Sequence, residues 1–463
     1  VTRDAADPEG EAPRAPTVGR KRFGSGRGIG IGIFVLAAVV YGTSVPTGFN
    51  TVYQNRRLFD SDGEFIIRQY RKDKTFTHND HLLYHVLGAR LVPLFERRLS
   101  RADSILWGHL SMSIFFGALG LAAAYRIGQR MTGTRAGALA GCVLLGSAAG
   151  YWFFSSTIDT YIPSLCFSIL AMGAALDCLA RKRARDAARL GAYAGLAFLF
   201  RTDGFLLVFL APAICLPWAG AWRRAGACLA TGLVVGVLGY ALLANRVYEV
   251  PLRTLPGWAF GHAERPERGE EWGRAQNLSA PNIKLALYNA AIYSVILPGL
   301  ENTGDRHFRQ MMGRIRLGRV VLYAYLGLAL ATLVGCVRGM LRDARQRRWD
   351  RIMPLLLALA WFVSNLLLHT WWDPKDPFLF AVITLPALWV VCLVYLRGEA
   401  AGAEGEGLDG PRPPAGRTAI VWAMAAIVMA HNLAHLVRPL RALPVPASEA
   451  PDNAIATAGA FVR

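Results

Sequence analysis

The chain has 463 residues, 53% of them hydrophobic and 18% charged, with a mean hydropathy of +0.30. Ordinary soluble domains carry about 25% charged residues, so a water-soluble fold is excluded. The formal charge of +19 does not indicate a nucleic-acid partner, because the basic residues are spread among loops between apolar blocks, as membrane insertion produces. Seven cysteines lie in or beside those blocks without a C-x-x-C pair, which argues against a disulfide framework or a thiolate zinc site. They read as small buried hydrophobes.

In chain order, residues 1–28 are polar and basic and read as a disordered cytoplasmic tail ahead of a signal anchor. Apolar blocks then recur at 29–49, 105–125, 136–154, 158–179, 190–200, 205–218, 225–244, 320–336, 352–368, 378–396 and 418–434. Blocks of about 17–25 residues suit a hydrocarbon layer of about 30 Å. The expected fold is all-α, a polytopic transmembrane bundle of about eleven spans.

With the N-terminus inside, the short inner loops hold 19 Lys and Arg and the short outer loops two, Arg201 and Lys375, which fixes the orientation. The transmembrane body is then 29–397, with long extracytoplasmic loops at 50–104 and 245–319. A Gly- and Glu-rich cytoplasmic linker, 398–417, leads to a last span, 418–435, and an outer tail, 436–463. Residues 190–218 read either as two short helices with Arg201-Thr202-Asp203-Gly204 at an outer tip or as one span carrying those charges near the bilayer centre. Two ionised groups there are costly, which favours the tip.

The polar residues of interest gather on the outer side. Asp60, Asp62 and Glu64 crowd three carboxylates into five residues, a candidate general base or else a solvated acidic loop. His78, His81 and His85, with Asp80, could hold a divalent metal or only hydrogen-bond at a wet interface, and no other feature asks for a cofactor. Leu83, Leu87, Leu91 and Leu94 mark one face of an amphipathic helix suited to the interface, or to the protein's own surface, with Asn79 or Asp80 as its cap. Asp159 opens a helix, as cap or as second acid. In the segment 369–377, Trp371 and Trp372 fit an aromatic belt or a stacking platform for a sugar. Lys375, Arg201, Arg246 and Arg253 could meet a phosphate.

The order of these landmarks resembles the GT-C membrane glycosyltransferases, most closely the protein O-mannosyltransferase-like branch. The resemblance rests on Asp60-Ser61-Asp62-Gly63-Glu64-Phe65, on Thr77–His81 followed by Leu83–Leu91, on Asp159-Thr160-Tyr161, and on the stretch from Gly195 to Asp203. It covers about residues 29–217, and departs from the family in the text after His78 and in having Asp159 where a Glu is often found.

The resemblance implies inverting transfer of a sugar from a polyprenyl-phosphate donor in the membrane to an extracytoplasmic glycan, lipid or protein acceptor. Asp62 or Glu64, with Asp60 beside them, would act as base. His78, His81, Asp159, Tyr161, Arg201, Asp203, Trp372 and Lys375 would line the substrate site. The expected location is the plasma (inner) membrane. A transporter or lipid flippase is the alternative, although no internal repeat is visible.

Overall fold

The structure is a computed structural model that describes residues 24–45, 52–53, 56–57, 81–99, 101–217, 220–260, 275–296, 316–372, 382–397 and 415–437. Apart from a two-residue antiparallel ladder pairing Val52–Tyr53 with Arg56–Arg57, the described regular structure is helical. The helices are α1 (Gly24–Thr43), α2 (Leu82–Glu96), α3 (Arg101–Thr132), α4 (Arg135–Ser147), α5 (Ala149–Ser155), α6 (Tyr161–Arg181), α7 (Ala184–Phe200) and α8 (Phe205–Leu210). They continue with α9 (Ala221–Leu233), α10 (Gly239–Tyr248), α11 (Leu255–Phe260), α12 (Ala280–Tyr288), α13 (Arg316–Arg345), α14 (Trp349–Trp372), α15 (Leu385–Tyr395) and α16 (Ala415–Asn432).

The protein is an integral membrane protein of the helical kind. Among the described residues, five helices are long and apolar enough to cross a bilayer, or six if the bent pair α4–α5 is one span. Fewer full-length spans are seen than the apolar blocks suggest, because several blocks are broken. Gly28–Thr43, Thr202–Cys215 and Val382–Tyr395 are shorter apolar helices, and α4 and α5 meet at 67°. All seven cysteines are buried thiols.

The chain reverses at Arg201. Helix α6 ends at Lys182, whose left-handed backbone (φ 52°) lets α7 start at once and run back beside it. After Phe200 the chain turns again through Thr202–Gly204, and α8 and the Ala211–Cys215 turn descend along α7. At its end, Cys215 Sγ lies 3.5 Å from that of Cys178 in the last turn of α6. Ala184–Phe200 and Phe205–Cys215 therefore form two antiparallel limbs with Arg201 at the tip.

Two Gly-x-x-x-Gly pairs, Gly191/Gly195 on α7 and Gly232/Gly236 on the helix running from α9 into α10, let the backbones touch. A Cβ on Gly195 would sit 2.8 Å from the Gly236 nitrogen and 2.9 Å from the Gly232 oxygen. In lipid, helix association rests on such close packing of small residues.

The α4–α5 break is satisfied internally. Lipid offers no partner for the freed backbone groups, so each needs one from the protein. Ala149 and Gly150 donate their N–H groups to the Val295 and Ser294 carbonyls, each at 2.9 Å. Asn432 Nδ2 donates to Ser147 O at 2.7 Å and Val295 O at 2.8 Å. Three segments far apart in the sequence thus close one kink.

Helix α2 packs on α3. Its buried face is His81, Leu82, Tyr84, His85, Gly88 and Val92, while Leu83, Leu87 and Leu91 are half-buried and Leu94 is exposed. The leucine stripe is thus a flank, and the small residue Gly88 marks the true contact, since a Cβ there would collide with the His109 ring. Its first residue follows His81, which makes no side-chain cap bond. The expected caps Asn79 and Asp80 lie outside the described residues.

Substituting Gly191 or Gly195 by valine should cost about 1–3 kcal/mol, the usual range for overpacking. The measurement is the thermal midpoint of the detergent-solubilised protein, with the half-buried Ala192→Val as control; an unchanged midpoint in both glycine variants would refute the close crossing.

Candidate functional site

The turn from Ser155 to Thr160 is buried throughout. Ser156 and Thr157 donate their hydroxyls back to Trp152 O and Phe153 O at 3.0 and 3.1 Å, which ties the turn to α5. Helix α2 lies over it: the Tyr84 hydroxyl meets Ser113 Oγ at 3.2 Å, and Ser113 reaches Asp159 O at 3.5 Å.

At the start of α6, Asp159 Oδ1 accepts the Thr160 N–H at 2.6 Å and its hydroxyl at 3.4 Å. Thr160 Oγ1 in turn accepts from Arg201 Nη1 at 3.1 Å. The Arg201 guanidinium lies 3.8 Å above the Tyr161 ring, a cation–π contact. Its Nε and Nη2 both lie 3.0 Å from Asp203 Oδ2. Asp203 Oδ1 is buried with no hydrogen-bond partner among the described residues. His369 Nε2, near the end of α14, stands 3.7 Å from Asp203 Oδ2.

Burial by itself would lower the Arg201 pKa. The Asp203 carboxylate, with Tyr161 and Asp159 adding, more than reverses this and holds it above its ordinary value. The group is thus one guanidinium shared by two carboxylates, closed to bulk water. Such a site can hold a hydroxyl through the open Asp203 oxygen and offer charge-assisted N–H donors to an anion.

The structure therefore brings together Asp159, Tyr161, Arg201 and Asp203, which the sequence placed on one side but could not join. His81 belongs to a separate set of rings on α2 and α3: His81 and His85 are 6.4 Å apart, and Tyr84 is 5.7 Å from both His85 and His109. Trp372 lies one turn beyond His369, 6.0 Å from Trp371, whose carbonyl accepts from Asn277 at 3.0 Å. Asp60, Asp62, Glu64, His78 and Lys375 lie outside the described residues.

Thr160 and His369 were missed. His369 had a signal: with Trp361 and Asn365 it makes a buried stripe at four-residue intervals in an apolar helix, and ionisable groups in such helices mark functional interiors. Thr160 stood inside the Asp159-Thr160-Tyr161 landmark, but the two charges it bridges meet only in the fold. Among the described residues, no group of three or more His, Cys, Asp or Glu is placed to hold a metal.

Removing one partner of a buried ion pair costs about 3–5 kcal/mol. Arg201→Gln or Asp203→Asn should each destabilise on that scale, and the double variant by less than the sum. Unfolding in mixed micelles by a double-mutant cycle measures this; strict additivity would show the pair is not coupled.

No protein-family model matches the chain, and no curated protein does. Several solved structures match the chain in part, each with a TM-score below 0.5. ArnT from Cupriavidus metallidurans in the apo state matches at 16% identity and a TM-score of 0.47, over 80% of this chain and 60% of that one. AglB, the oligosaccharyltransferase of Archaeoglobus fulgidus, in complex with an inhibitory peptide and a dolichol-phosphate, matches at 14% identity and a TM-score of 0.44, over 89% and 56%. The S. cerevisiae protein O-mannosyltransferase Pmt1–Pmt2 complex bound to the sugar donor matches at 15% identity and a TM-score of 0.39, over 49% and 34%. The chain spans between a third and three fifths of the length of these solved proteins.

Proposed function

We propose that this protein is a membrane glycosyltransferase that moves a sugar from a polyprenyl-phosphate carrier to an acceptor outside the cytoplasm. The observation that carries this reading is a convergence. Asp159-Thr160-Tyr161 and the tip at Arg201–Asp203, two landmarks of the family resemblance separated by some forty residues, form a single buried network through the Arg201–Thr160 hydrogen bond.

In the proposed reaction Asp62 or Glu64, with Asp60 beside them, takes the proton from the acceptor hydroxyl as it attacks the sugar. The bond from sugar to phosphate breaks, and the carrier phosphate leaves with its charge stabilised by cations. Asp203 already neutralises Arg201, so this arginine offers N–H donors more than net charge, and Lys375 supplies the balancing cation. His78, His81 and Tyr161 line the path, Asp203 Oδ1 receives a hydroxyl, and Trp372 stacks on the sugar. A divalent ion at His78, Asp80 and His81 would serve the same phosphate, and chelation would then abolish turnover.

The finer topology belongs to this proposal. The chain crosses the inner membrane eleven times with its N-terminus in the cytoplasm, α2 rides the outer interface, and the Arg201 tip faces outward. A carrier that stays in the bilayer during reaction fits such a site, because drawing its chain from lipid costs about 0.8 kcal/mol per CH₂.

Purified protein in liposomes, given a radiolabelled polyprenyl-phosphate sugar, should release the free carrier phosphate. Asp62→Asn or Glu64→Gln, whichever removes the base, should slow this at least a hundredfold, about 2.7 kcal/mol of transition-state stabilisation. Full activity with both changes present would remove these acids from the mechanism. Passage of the intact lipid across the bilayer without cleavage would favour a flippase.

A further inference from the structure

Two of the buried thiols meet beside a cation. Cys178 Sγ, in the last turn of α6, lies 3.5 Å from Cys215 Sγ at the foot of the limb that descends from Arg201. Arg224, in the first turn of α9, folds its side chain back over Gly220, where an added Cβ would lie 3.7 Å from its Nη1. That Nη1 donates to Lys182 O at 3.4 Å, just past the end of α6. The Arg224 Nη2 is buried with no hydrogen-bond partner among the described residues. Cys178 and Cys215 both feel this cation, and Cys228, one turn further along α9, stands nearby.

A guanidinium stays charged when buried and needs an opposite charge close to it. At the Arg201 tip Asp203 supplies one. At this end Asp177 and Asp186 are taken up by Arg130, Arg181 and Arg189. Arg224 is only 8% exposed and has no ion pair among the described residues. The acidic groups left beside it are thiols, and a thiolate next to a cation is the reactive form of cysteine. Cys178 also feels the Asp186 carboxylate, and like charges repel, so Cys215 is the one to carry the charge. The next residue, Leu216, is exposed, which places the pair close beneath the protein surface. Cys178 lies seventeen residues beyond Tyr161 along α6, about 26 Å at 1.5 Å per residue, so this is not the site described above.

We propose that Cys215 and Cys178 form an oxidisable dithiol, in which Arg224 holds Cys215 as the thiolate and hydrogen peroxide is the oxidant. The Cys215 thiolate attacks one peroxide oxygen, the O–O bond breaks, and the departing hydroxide takes a proton to become water. Cys215 is then a sulfenic acid. The Cys178 thiol attacks its sulfur, the S–S bond forms, the S–O bond breaks, and hydroxide leaves with the Cys178 proton as a second water. Two thiols thus supply two electrons, and one peroxide becomes two waters. A disulfide measures about 2.0 Å, so the sulfurs have about 1.5 Å to close. The bond would fasten the foot of the Arg201 limb to α6. The inference stands independently of the proposed reaction.

The test treats the full chain in detergent with hydrogen peroxide and reads linked peptides by mass spectrometry after digestion without reductant. A Cys178–Cys215 disulfide should form and should revert with dithiothreitol. In Cys178→Ser, dimedone should trap a sulfenic acid at Cys215, and in Cys215→Ser none should appear at Cys178. Arg224→Gln should slow disulfide formation, and alkylation of Cys215 by N-ethylmaleimide, by at least about tenfold, the loss expected for one charge-assisted contact. Arg224→Lys should restore most of both rates, and Cys142→Ser, a buried thiol elsewhere, should leave them unchanged. A merely structural arginine would have the opposite effect, since its loss would loosen the site and speed alkylation. No Cys178–Cys215 link, a link of either to Cys228 instead, or unchanged or faster alkylation in Arg224→Gln would each overturn the proposal. A dimedone label at Cys178 in Cys215→Ser would overturn the choice of Cys215. If Arg224→Gln does not fold, the peroxide link and the dimedone labels still decide.

Discussion

A buried guanidinium is tolerated only when an opposite charge and enough acceptors come with it, and the tip of the α7–α8 hairpin is organised around that requirement. Arg201 sits where the chain reverses, and the turn itself delivers Asp203 within 3.0 Å. The remaining donors need acceptors from elsewhere. Thr160 on α6 provides one, Tyr161 provides a ring face, and α14 brings His369 up to Asp203. Satisfying one ion therefore docks three helices at one point, and Asp203 Oδ1 is the acceptor left without a hydrogen-bond partner among the described residues.

A second constraint acts on the backbone. The kink between α4 and α5 frees peptide groups in a region without water, and these are taken up by residues 294–295 and by Asn432. The kink matters because α5 leads directly into the buried turn carrying Asp159. A straight helix would have carried that turn elsewhere. Asn432, at the end of the last described helix, and the segment after α12 thus hold Asp159 in place without touching it.

The two ends of the bundle differ in how they use charge. In the Arg201 network two carboxylates, Asp159 and Asp203, act on one guanidinium. At the opposite end, Arg130, Arg181 and Arg189 gather on Asp177 and Asp186 and tie α3, α6 and α7 together.

Much of the architecture was legible in the residues themselves. Apolar blocks declare a helical membrane protein because lipid admits little else, and Arg201-Thr202-Asp203-Gly204 declares a break because two ions in hydrocarbon are costly. The leucine stripe on α2 announced a helix, but the close approach of Gly88 to His109 was not legible, since a glycine has no side chain to signal burial. The two Gly-x-x-x-Gly pairs were visible as text, yet which helix faced which was not. What the chain's sequence determined was the class of fold, the place of its reversal, and the residue types available to the site. That Asp159, Thr160, Arg201, Asp203 and His369 share one network was decided only in three dimensions, because hydrogen bonds and ion pairs act over about 3–4 Å and periodicity along the chain carries no distance between helices.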